Sequence, residues 1–151
     1  MTSQLKINTV HPVASAGSVS LLRTTIAGLA LADAMIHAAV LPEHFQKSQY
    51  MGILFTFALI FLGMLAIGLT MGPSSSGNTS IGRITKASGL LLMAGLIAGY
   101  FVTRTIGLPG FHGDWNDVGL TTVALEAAIL LLLFVDLSAS QTDGNDRTNK
   151  E

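Results

Sequence analysis

Asp33 and His37 stand four residues apart within the apolar run TTIAGLALADAMIHAAVL, and Glu126 stands inside VGLTTVALEAAILLLLFV. At that spacing on a helix, Asp33 and His37 share one face, one turn apart. Arg104 closes a third apolar run. Ionisable groups in such surroundings are costly and need a partner or a purpose. Three chemistries fit these residue types. Arg104 can pair with Glu126 or Asp33, with His37 hydrogen-bonding across the interface, as a lock between helices. Imidazole with carboxylates can hold zinc, copper, nickel or iron, which makes Asp33, His37, Glu126 and His44 a candidate metal set, with His112 as a further ligand. A carboxylate and a histidine can also relay protons or ions.

The elements that must position these groups follow from composition. The chain has 151 residues, 50% apolar and 11% charged, with a net charge of −1. Its mean hydropathy is +0.58. Soluble domains carry about 25% charged residues, so the composition is that of a membrane protein. A disordered body is excluded because disorder goes with few apolar and many charged residues. The charge balance offers no basic stripe for nucleic acid. Without cysteine there is no disulfide, thiolate nucleophile or iron–sulfur cluster. HExxH, P-loop, nucleophile-elbow and GxGxxG signatures are absent. The methionines read as core filler.

A membrane-crossing helix needs about 20 mostly apolar residues. Four runs meet or approach this: 24–41, 50–71, 84–102 and 118–135. Period-two alternation is missing, which argues against a β-barrel. The expected fold is all-α, an integral membrane four-helix bundle over residues 19–137. A polar segment is expected at 1–18 and an unstructured tail at 138–151. Residues 1–18 lack the pattern of a cleaved secretory signal, so the first helix is expected to be retained. Leu41-Pro42 is expected to end that helix. The glycine- and proline-rich stretches 72–78 and 107–113 read as turns, and Asn116 or Asp117 as the cap of the fourth helix.

Counting inward from Leu41 places Asp33 roughly 12 Å deep, and counting inward from Val118 places Glu126 at the same depth, roughly 12 Å. Two carboxyl groups at one level repel unless a cation lies between them, and Arg104 or a metal ion would supply it. If the first, third and fourth helices pack together, Asp33, His37, Arg104 and Glu126 form one buried polar cluster. Glu43, His44 and His112 form a second group in the adjoining loops.

Lys6, Arg23, Arg83, Lys86, Arg147 and Lys150 fall on the side of the termini, and only Lys47 and Arg104 on the other. The lysine and arginine bias of short loops therefore predicts a multi-pass protein of the cell membrane with both termini cytoplasmic. Trp115 and Tyr50 would mark the outer interface. Gly95 and Gly99, with Gly28, Ala32, Ala34 and Ala38, have the spacing of close helix contacts. They read as packing within one bundle ahead of dimerisation.

His37-Ala-Ala-Val-Leu-Pro-Glu-His-Phe45 and Thr103-Arg-Thr-Ile-Gly-Leu-Pro-Gly110, followed by Gly119 and Glu126, resemble stretches in a group of small four-helix bacterial membrane proteins common in actinobacteria. The resemblance covers roughly 24–135. It implies a fold and no reaction, and singles out His37, Glu43, His44, Arg104 and Glu126.

The function expected is that of a non-enzymatic accessory or ligand-binding subunit of a membrane complex. Its partners would be lipid, other membrane subunits or a second copy, and not nucleic acid. A metal-handling protein with a divalent or copper ion is the first alternative, and a small oligomeric transporter or channel the second.

Overall fold

A computed structural model describes residues 16–71 and 80–148. The described residues form four α-helices: α1 (Ala16–Lys47), α2 (Gln49–Thr70), α3 (Ser80–Thr105) and α4 (Asp117–Thr148). All four contain windows long and apolar enough to cross a membrane. Each helix packs on the next in sequence, and α4 closes the ring against α1. The result is an up-down-up-down four-helix bundle.

The helices run beyond the apolar runs that seeded them. The candidate span of α1 reaches Lys47, so Pro42 does not end the helix as expected. It lies inside α1. A proline removes its own N–H from the ladder and its ring crowds the carbonyl four residues back, yet the helix continues past it to the Ser48 N–H to His44 O bond of 2.9 Å. The α1–α2 reversal is then a single residue, Ser48. It closes tightly because Gly52 has no side chain; a Cβ there would overlap the Phe45 ring. At the other end, α4 is helical to Thr148, through most of the segment expected to be an unstructured tail. Residues 1–15, the 72–79 connector and 149–151 lie outside the described residues.

The α3–α4 connector is ordered by its sequence. Leu108-Pro109-Gly110-Phe111 carries proline then glycine at its centre, with Gly110 at φ 74°, the signature of a type II turn. Leu108 and Phe111 exchange backbone bonds of 2.7 and 2.8 Å. Gly113 N–H donates to Thr103 O (3.0 Å), and Tyr50 Oη donates to Pro109 O (3.0 Å), tying the loop to α3 and α2. Asn116 caps α4, its Oδ1 accepting from Gly119 N–H (2.7 Å).

Buried stripes at helical spacing fill the interior. Ile26, Ala27, Ala30 and Ala34 of α1 meet Leu62, Leu65, Ala66 and Leu69 of α2, Met93 of α3, and Ile129 and Leu133 of α4. Gly89 of α3 belongs to this core; an added Cβ would lie 2.8 Å from a Leu65 methyl and 3.0 Å from one of Leu133. Gly28, Gly95 and Gly99 do not pack as expected. A Cβ at any of them meets nothing within 4 Å. The outer surface of the bundle is apolar, with Leu31, Ile53, Phe57, Ile60, Leu91 and Leu131 all exposed, as a lipid-facing surface requires.

Candidate functional site

Asp33, His37 and Glu126 converge between α1 and α4, and all three are buried. One ligand atom from each lies within 4.8 Å of the other two. The i, i+4 spacing does the first part of the work. His37 Nδ1 contacts the Asp33 backbone O at 3.0 Å and Asp33 Oδ1 at 3.4 Å. The opposite ring nitrogen, Nε2, faces Glu126 Oε1 at 4.0 Å. Both Asp33 carboxylate oxygens and Glu126 Oε2 are buried without a hydrogen-bond partner, which is costly in a dry interior.

Arg104 is not the cation of this cluster. The expectation that it joins Asp33 and Glu126 is corrected: its Nη1 donates to Thr103 Oγ1 (2.8 Å) and to Tyr100 O (3.4 Å). Its guanidinium lies 3.7 Å over the Tyr100 ring, a cation–π arrangement. The connector holds it there, since Gly113 sits against it where a Cβ would come within 3.3 Å of Nη1. Arg104 Nε is buried and unpartnered.

His44 also stands apart from the metal-ligand group found among the described residues. Its ring stacks on Phe55 at 3.8 Å, and its Nδ1 contacts Val40 O at 2.9 Å. Phe55 also meets His37 at 5.1 Å, so one phenyl ring separates the two imidazoles. Glu43 pairs with Lys47 (2.7 Å) on the surface, and His112 is exposed. The loop group Glu43, His44 and His112 therefore does not converge as a ligand set.

A half-open cavity of about 520 Å³ lies between the triad and the α3–α4 connector, and its lining includes exposed apolar side chains such as Leu54, Phe57 and Phe61. His37 and Glu126 reach it. Phe55, Phe61, Leu92, Leu96, Tyr100 and Val123 supply much of its apolar wall, and Glu43, His44, Lys47, Arg104 and Asp114 also line it. Gly95 and Gly99 line it too. The α3 stripe shows how it arises: after Gly82, Lys86, Gly89 and Met93, the next buried residue is Thr103. The bundle is tight in its termini half and hollow in its connector half.

Sequence reasoning missed a second polar layer. Arg23 Nε lies 3.2 Å from Asp136 Oδ2, and Lys86 Nζ lies 2.9 Å from the same oxygen. Lys86 also donates to Ser140 Oγ (2.7 Å). All three charged groups are buried, Lys86 completely. Arg23 and Asp136 are each ten residues from Asp33 and Glu126, so the two layers lie about 15 Å apart. The same depth count that located the triad would have found this layer. No family model, curated protein or solved structure matches the chain.

Proposed function

We propose that this is a ligand-binding membrane protein. It holds a small amphipathic molecule inside the bundle, with an apolar body along the cavity wall and a polar head on the His37–Glu126 floor. One observation carries the reading: a 520 Å³ cavity ends on a buried carboxylate oxygen without a partner, Glu126 Oε2. Apolar walls with a few convergent polar groups at this volume are what small-molecule sites share. Gly95 and Gly99 support it. A helix face without side chains, meeting nothing, leaves room that helix packing does not use. Arg104, which also lines the cavity, offers its Nε as a donor.

In this reading the protein sits in the cell membrane with both termini cytoplasmic, as the lysine and arginine distribution favours, and the mouth opens on the outer side.

Native mass spectrometry of the full chain released from detergent tests it. Wild-type protein carries a discrete small-molecule adduct, and the cavity-filling Gly99→Leu variant loses it while staying folded. Identical spectra for the two, or no adduct on wild type, would contradict the reading.

A further inference from the structure

The triad has the features of a metal site that keeps one position open. Where a histidine binds a metal, its other ring N–H is fixed by a carbonyl or carboxylate. His37 Nδ1 has that contact with Asp33 O at 3.0 Å. The proton on Nδ1 then leaves the Nε2 lone pair pointing at Glu126, whose Oε1 is 4.0 Å away. Tetrahedral donors at ~2.1 Å from one ion stand ~3.4 Å apart, so these two atoms need to close by only about half an ångström to share one. The ligand atoms of all three residues lie within 4.8 Å of one another, so side-chain rotations that draw them together by up to about 1.4 Å would reach that spacing. Asp33 Oδ2 and Glu126 Oε2, buried without a hydrogen-bond partner, are what a cation would satisfy. His37 and Glu126 line the cavity and Asp33 does not, so an ion held by the three would lie at the cavity floor.

We propose that Asp33, His37 and Glu126 hold one divalent transition-metal ion, with a coordination position open to the cavity. Three protein ligands and one open position are the pattern of zinc sites that engage a substrate. Two hard carboxylates and one imidazole, with no thiolate or thioether, suit zinc, iron(II) or manganese(II) ahead of copper(I). Resting on the cavity reading above, the inference makes the head of the bound molecule a lone-pair donor, such as a carboxylate, phenolate or carbonyl oxygen.

The experiment uses the purified full chain in nanodiscs, loaded with Zn²⁺, dialysed and analysed for metal, with Co²⁺ absorption as a second probe. The expected result is about one ion per chain. His37→Ala and Glu126→Gln should weaken binding by more than the roughly 10–100-fold lost when only a supporting neighbour is removed. His44→Ala and His112→Ala should keep full occupancy. Circular dichroism and gel filtration verify folding. If His37→Ala misfolds, Asp33→Asn provides the same comparison. A sub-stoichiometric wild type, full binding by folded His37→Ala, or loss on His112→Ala overturns the inference. A Gly99-dependent adduct on protein that takes up no stoichiometric metal would sink the metal site and leave the cavity reading standing, whereas one ion per chain with no adduct would do the reverse.

Discussion

At the scale of single residues, the second polar layer gives the sharpest energetic expectation. Asp136 Oδ2 serves both Arg23 and Lys86, so removing the acid takes the shared carboxylate from two buried cations at once, whereas removing one cation leaves the other paired with it. Asp136→Leu should cost about 3–5 kcal/mol, the usual penalty for breaking a buried ion pair. Lys86→Met should cost clearly less, because its stem volume is nearly kept and Arg23–Asp136 survives. Denaturant titration in mixed micelles reads both; equal losses would mean that the layer does not act through Asp136. The triad was legible because helical rise converts residue number into depth, and eight residues inward on each of two helices is simple arithmetic. Arg104 was not legible. Its long side chain could turn either way, and the Gly113 contact that fixes it belongs to a loop whose course depends on Gly107 and Gly110. Arg23, Lys86 and Asp136 escaped notice because they sit at the edges of the apolar runs, where a charge needs no special explanation.

At the scale of elements, glycines divide by what faces them. Gly52 admits the Phe45 ring at the α1–α2 reversal, and Gly89 admits Leu65 and Leu133. Gly52→Leu or Gly89→Leu should therefore destabilise by about 1–3 kcal/mol through overpacking. Gly95→Ala, with nothing within 4 Å, should be neutral or slightly stabilising, since alanine is the better helix former. Thermal unfolding of the three variants checks the order. If Gly95→Ala proved the most damaging, α3 would pack through its GxxxG face after all. Spacing alone cannot make this distinction, because GxxxG marks a groove and not what fills it. The long α1 teaches the same lesson at Pro42: a proline near a helix end disfavours continuation, but the tight Ser48 reversal and Phe45 seated on Gly52 hold the last turns in place. Four helices and their antiparallel order followed directly from the apolar runs. Their true ends did not, since helix length and hydrophobic length are separate quantities.

At the scale of the molecule, the bundle is built in layers along its axis. The Arg23–Lys86–Asp136 layer comes first, then a dry aliphatic core, then the Asp33–His37–Glu126 triad, and finally the cavity beneath the α3–α4 connector. Such an arrangement puts rigidity at one end and space at the other, so that the triad is supported from below and accessible from above. The native absence of cysteine allows this to be tested with single thiols. In the full chain in nanodiscs, a Gly99→Cys variant should react with a membrane-impermeant cationic methanethiosulfonate, because the glycine lines the cavity. A Leu131→Cys variant, on the exposed apolar surface of α4, should not react. Saturating Zn²⁺ should slow the Gly99→Cys reaction only while His37 is present. Rapid labelling at position 99, slowed by Zn²⁺ only while His37 is present, with silence at 131 is the predicted result. An inert thiol at 99, or equal reactivity at both positions, would contradict a water-accessible cavity ending on the buried triad.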